Sequence, residues 1–122
     1  MDEKALDRDA LGAGLSPYLM VGKSGTLRPG DGWADLKQRD RVLVVLLGVK
    51  AAHVLGVRDR DGASATEVTA LTGASGGTVR PALRSLVSDR LVVQDKEGRY
   101  VVSAMSVPRA LQVLGSTRGR VG

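Results

Sequence analysis

Cysteine, phenylalanine, isoleucine and asparagine are missing from this chain of 122 residues, and histidine occurs once, at position 53. Without cysteine there is no disulfide, no thiolate nucleophile and no thiolate metal ligand. A lone histidine cannot build a multi-histidine metal centre. With only one Trp and two Tyr, the core must be assembled from Leu, Val and Ala. No apolar run reaches the roughly 18 residues that would signal a membrane span. The opening MDEKALDRDA is charged and has no apolar signal core. These absences predict a cytoplasmic protein with no membrane partner, no metal and no cofactor.

Catalytic groupings are equally scarce. Acyl transfer needs a nucleophile, a base and an orienting group. The one base, His53, lies in the apolar run Ala51-Ala52-His53-Val54-Leu55, where a packed or capping histidine is expected. Asp59 with Asp61, and Asp95 with Glu97, are paired carboxylates in loops beside basic residues. Gly22-Lys23-Ser24 resembles the end of a phosphate-binding P-loop, but Pro17 stands where that loop needs another glycine, and no helix pattern follows. No catalytic residue is assigned, and no enzyme is expected.

Positive charge is present and unevenly spread. The net charge is +5; residues 1–31 hold four basic and five acidic side chains, residues 32–63 six and four, and residues 64–122 eight and four. The excess therefore sits in the second half, where phosphates of a nucleic acid would be attracted.

That half contains Ser75 to Val102, SGGTVRPALRSLVSDRLVVQDKEGRYVV. Val79, Leu83, Leu86 and Val87 recur at i, i+4, i+7 and i+8, the spacing of one helix face. Gly77, Pro81, Arg84 and Ser88 fall opposite, with Arg80 flanking them, and Ser75 can cap the first turn. Leu91 to Gln94 and Arg99 to Val102 are β-rich runs around the polar turn Asp95-Lys96-Glu97-Gly98, which predicts a hairpin. Upstream, Ser64-Ala65-Thr66-Glu67 matches a capping box. Val68 and Leu71 give that helix an apolar face, and Gly73 is placed to stop it. Helix, glycine turn, helix is helix-turn-helix spacing.

Gly77-Thr78-Val79-Arg80-Pro81-Ala82-Leu83-Arg84-Ser85-Leu86, continuing to Arg90-Leu91-Val92, resembles the winged helix-turn-helix of PadR-, GntR- and MarR-type regulators. The Gly-Thr-x-x-Pro-x-Leu-x-x-Leu spacing is closest to PadR-like proteins. The resemblance covers roughly residues 65–103. It departs at Arg90, where these families usually have glycine, and at Arg80, where PadR proteins often carry an aromatic residue. It implies a sequence-specific double-stranded DNA-binding protein, a transcriptional regulator associated with the nucleoid. The 75–90 helix would read the major groove and the 91–103 wing the backbone. The implied DNA-binding residues are Gly76, Gly77, Thr78, Arg80, Pro81, Arg84, Ser88, Lys96 and Arg99. Arg80 and Arg84 can contact base edges or phosphates. The glycines with Thr78 allow close backbone approach, and Lys96 and Arg99 would reach the backbone or minor groove. The alternative function is a winged-helix protein–protein interaction module in a larger assembly.

The expected fold class is therefore mainly α with a small β-hairpin wing. Residues 1–31 form an N-terminal arm or small appendage, 32–115 the winged helix-turn-helix domain, and 116–122 a basic disordered tail. Within the first segment, Asp2 to Leu11 can form a short helix stopped by Gly12, Gly14 and Pro17. Tyr18 to Val21 and Thr26-Leu27 can form a hairpin, and Arg28 to Gly32 a linker. Trp33 to Leu55 is read as one helix begun near Asp31 and ended by Gly56, with a strand over 42–49 as the competing reading. Val42 to Val49 is apolar on every side and must be buried nearly all round, against the N-terminal segment or a second subunit. Arg58-Asp59-Arg60-Asp61-Gly62 reads as a solvated loop of cancelling charges. Ser106 with Pro108 opens a last helix, edged by Leu111 and Leu114 and ended by Gly115. The surplus apolar surface predicts a homodimer with a palindromic site, its two reading helices about 34 Å apart.

Overall fold

The computed structural model describes residues 8–24 and 26–119. Its centre is helix α2 (Gln38–Val54), in which every residue from Val42 to Lys50 is buried. This is the segment without a polar face, and helix prevails over strand there. Other elements enclose it: α1 (Arg8–Leu15), the hairpin β1 (Leu19–Val21) with β2 (Leu27–Pro29), α3 (Ala65–Thr72), α4 (Gly76–Ser88) and α5 (Val107–Gly119). A second sheet has three short antiparallel strands in the order β3 (Gly62–Ala63), β5 (Tyr100–Val101), β4 (Val93–Gln94). The architecture is thus mixed α and β, with five helices and two small antiparallel sheets among the described residues.

The start of α2 differs from expectation. Trp33–Asp35 form a separate 3-10 turn, Leu36 is extended, and the α-helix begins at Gln38. Arg41 reaches back from α2 to donate to the carbonyls of Trp33 (3.2 Å) and Ala34 (3.0 Å) and lies over the Trp33 ring. The guanidinium takes acceptors that a continuous helix would have used, so the preceding turn stays apart. At the other end Gly56 is left-handed, φ +80°, and Gly56 and Val57 N–H donate to His53 and Ala52 carbonyls. That is a Schellman stop, as the glycine predicts.

The described residues before α2 pack into the same core as the rest. Leu11, Leu15, Tyr18 and Leu19 are buried together with the α2 side chains. Helix α1 runs through Gly12 and Gly14, which were expected to stop it, and ends before Pro17. A Cβ at Gly14 would lie 2.8 Å from Leu111 Cδ2, so its smallness serves the close approach of α1 to α5 rather than a turn. The expected helix residues 2–7 lie outside the described residues. Arg28 and Pro29, assigned to a linker, are strand residues, with Pro29 opposite Leu19. Over α2 the hairpin sits on Gly48: a Cβ there would be 2.3 Å from Leu19 Cδ2 and 3.4 Å from Leu27.

Helix α5 continues through Gly115 to Gly119, so residues 116–119 of the expected tail are helical. Residues 120–122 lie outside the described residues. Leu114 is buried and Leu111 lies against α1. The apolar surplus behind the homodimer expectation is thus covered within one chain. No described helix is long and apolar enough to cross a membrane.

Candidate nucleic-acid interface

Local chemistry sets α3 and α4. Ser64 Oγ accepts from Glu67 N–H (3.1 Å), and Glu67 Oε1 accepts from Ser64 N–H (3.3 Å), completing the capping box. Gly73 closes α3 in the left-handed region, φ +75°. Ser75 then occupies the position before α4, but its hydroxyl pairs with Thr78 Oγ1 (3.1 Å) instead of capping a backbone N–H.

The buried face of α4 is Val79, Ala82, Leu83 and Leu86. Val87, expected on that stripe, is 37% exposed, and Ala82 takes its place. The exposed face carries Gly77, Arg80, Pro81, Arg84 and Ser88; Gly76 and Thr78 are half-buried at its start. Arg80 and Arg84 have no acidic partner among the described residues. Pro81 lies inside the helix; because proline has no N–H, the Gly77 carbonyl lacks its helical donor. At the carboxyl end of α4, Asp89 is bound by Arg39 of α2 at 2.5 Å, and the same Nη1 donates to Ser85 Oγ at 2.7 Å. That clamp fixes the carboxyl end of α4 to α2 and neutralises the acid beside the exposed face.

Helix α4 ends in a second Schellman arrangement. Arg90 N–H donates to the Val87 carbonyl and Leu91 N–H to the Leu86 carbonyl, both at 3.0 Å, and Leu86 and Leu91 are buried together. The left-handed residue this stop needs is Arg90, φ +63°, the only non-glycine with positive φ among the described residues. Leu91 and Val92 are spent on this anchor, so β4 starts only at Val93 and the hairpin is shorter than expected. In its turn Gly98 has φ +82°, and Asp95 Oδ1 accepts from the N–H groups of Glu97 and Arg99, each at 2.9 Å.

The two cations expected on a wing, Lys96 and Arg99 of the β4–β5 hairpin, do not share a fate. Lys96 is exposed and has no acidic partner among the described residues. Arg99 turns away from the tip: its Nη2 donates to Glu67 Oε1 at 2.5 Å, and its Nε is buried without an acceptor. Glu67 Oε2 also accepts from Arg58 Nη2 at 3.1 Å. One carboxylate therefore caps α3 and joins the α2–β3 loop to the β4–β5 hairpin.

The loop read as solvated charge is built into this junction. Arg58 pairs with Glu67, Arg60 with Glu97 of the β4–β5 turn, and Asp61 with Lys50 at 3.3 Å. Lys50 is only 5% exposed, on a helix whose sequence gave no sign of a buried cation's partner. His53 is exposed rather than packed, with Nδ1 3.2 Å from the Arg58 carbonyl. In that contact Nδ1 is the donor, since a carbonyl can only accept. Among the described residues no group of three or more His, Asp or Glu is placed to hold a metal ion.

No protein family, curated protein or solved structure matches this chain. The functional reading therefore rests on its own residues.

Proposed function

We propose that this protein is a winged helix-turn-helix transcriptional regulator that binds double-stranded DNA in a sequence-specific manner, associated with the nucleoid, with no catalytic role. The observation that carries the reading is the exposed face of α4. It is narrow at its amino end, where Gly76 and Gly77 stand, and bears Arg80 and Arg84, neither of which has an acidic partner among the described residues. A guanidinium free of protein carboxylates can donate two bonds to a guanine edge. Two further features support the fold assignment. The order α2, β3, α3, α4, β4, β5 puts a helix pair ahead of a hairpin. Strand β3 pairs with β5, Gly62 opposite Val101 and Ala63 opposite Tyr100, and so ties the hairpin to the segment leading into α3.

On this reading α4 enters the major groove with Arg84, at the centre of its exposed face, on a base, and Arg80 on a base or a phosphate. Lys96 is the wing's phosphate contact, whereas Arg99 holds the wing in place through Glu67. A homodimer belongs to the same proposal, but its interface must use surface other than Val42–Val49 and Leu114, which the chain itself buries. The competing reading, a module for protein assembly, is favoured by the pairing of Arg99 with Glu67, which leaves Lys96 as the one wing cation without an acidic partner among the described residues.

Selection from random duplexes, followed by sequencing, tests the proposal. An enriched motif is expected. Arg84→Ala should then weaken the selected site more than a scrambled one, by about 1–3 kcal/mol of discrimination. Lys96→Ala should weaken both alike and lower the salt slope by about one. No enrichment and no salt-dependent retention would reject DNA binding in favour of the assembly module.

A further inference from the structure

A cleft of about 440 Å3 opens between three segments far apart in the chain. Ser24 of the β1–β2 turn, Val57, Arg58, Asp59 and Arg60 of the α2–β3 loop, and Arg99 of the wing line it. The volume is in the range that holds small ligands. Val57 is the one aliphatic side chain, so an apolar ligand would find little to bury against. The lining holds three guanidinium groups and one carboxylate, Asp59, and each guanidinium is paired with a carboxylate outside the lining.

Each guanidinium is held from behind, and each is held by one nitrogen. Glu67 takes Arg58 and Arg99 through their Nη2 atoms, and Glu97 takes Arg60 through Nη1. Neither carboxylate lines the cleft. A guanidinium has five N–H donors, so most remain unspent. The ion pairs already fix these long side chains, which lowers the entropy lost when a ligand orders them. Ser24 adds a hydroxyl, itself 3.0 Å from Thr26 Oγ1. Convergent, pre-ordered guanidinium groups match a ligand with several acceptor oxygens and negative charge, and phosphate has that chemistry.

We propose that this cleft is a phosphate-binding site, closed on one side by the tip of the N-terminal hairpin. It is separate from the exposed face of α4 and does not rest on the DNA reading. The phosphate comes either from a duplex backbone or from a small phosphorylated molecule, and the chemistry of capture is the same.

The test uses the full chain with inorganic phosphate as probe, at ionic strength held constant with chloride. Phosphate is expected to raise the melting temperature saturably. Arg60→Gln should weaken the apparent affinity roughly tenfold, the loss expected for a charge-assisted hydrogen bond. Arg60 is 54% exposed, so this variant should still fold. Ser24→Ala should weaken affinity less, and Lys37→Gln, which removes one exposed charge outside the cleft, should leave it unchanged. A random-sequence duplex then separates the sources. If backbone phosphate is the natural ligand, the duplex displaces inorganic phosphate, and Arg60→Gln lowers the duplex salt slope by about one. If a small molecule is the ligand, phosphate still binds but duplex affinity ignores Arg60→Gln. Absence of a saturable phosphate effect, or an effect equal in Arg60→Gln and the parent, overturns the site; a positive result leaves it standing even if Arg84→Ala has no effect on DNA.

Discussion

Replacing Arg90 with glycine should stabilise the protein. Arg90 closes α4 at φ +63°, a conformation in which its Cβ crowds the backbone. For an L-residue the left-handed region costs about 1–2 kcal/mol. Glycine removes that cost but returns about 0.5–1 kcal/mol through its extra freedom in the unfolded chain. Arg90 is exposed and makes no ion pair with a described residue, so little else is lost. The net gain should be about 0.5–1 kcal/mol, or a rise of roughly 2–4 °C in melting temperature for a domain of this size. Thermal melting by circular dichroism and urea unfolding with an unchanged slope would measure it. Two controls isolate the cause. Arg90→Ala keeps the strain and should stay within about 0.5 kcal/mol of the parent. Gly73→Ala, at φ +75° with no atom within 4 Å of the added Cβ, imposes the same strain without a clash and should lose about 1 kcal/mol. A parent that melts at or above Arg90→Gly would refute the argument that backbone strain dominates at this position.

Leu83→Ala should cost about 2–5 kcal/mol, since Leu83 is buried between α4 and α2; an unchanged denaturation midpoint would contradict the packing. Gly48→Ala should cost about 1–3 kcal/mol by overpacking against Leu19 and Leu27, and limited proteolysis should then cut the β1–β2 turn sooner than in the parent. Glu67→Gln should cost about 1–2 kcal/mol, because it weakens a cap and two ion pairs at once. Its loss should shrink in high salt, and hydrogen exchange should rise in both the wing and the first turn of α3.

The parts visible in the sequence were those set by neighbours a few residues apart. The Ser64–Glu67 box, the Gly73 stop and the Val79–Leu83–Leu86 stripe act within one or two turns, and each stands as expected. Arg90 is instructive: the resemblance marked the missing glycine, and the structure gives the reason through its positive φ. What escaped was decided at long range. Gly62-Ala63 has no strand propensity of its own and becomes β3 only by pairing with β5. The charges of 58–61 cancel in sequence, yet Arg60 finds its partner 37 residues away. Helix α1 runs through Gly12 and Gly14, and only at Gly14 does a distant residue, Leu111, fill the space beside it, while Arg41 of α2 bonds two carbonyls upstream of the helix. Arg99 followed the wing pattern by position but not by contact, since Glu67, a capping residue, also binds it.

The burial of Val42–Val49 has a consequence for synthesis on the ribosome. Within α2, Val42–Val49 is an apolar run without a polar face. Its cover comes from both directions: α1 and the β1–β2 hairpin precede it, whereas α4 and α5 follow. Domains emerge amino end first, at about 5–20 residues per second. When α2 leaves the exit tunnel, the hairpin is already outside and can seat Leu19 and Leu27 over Gly48. The remaining apolar sides stay bare until Leu83, Leu86 and Leu114 have been made. For several seconds the nascent chain is half covered, and the amino-terminal segment acts as its provisional shield against aggregation.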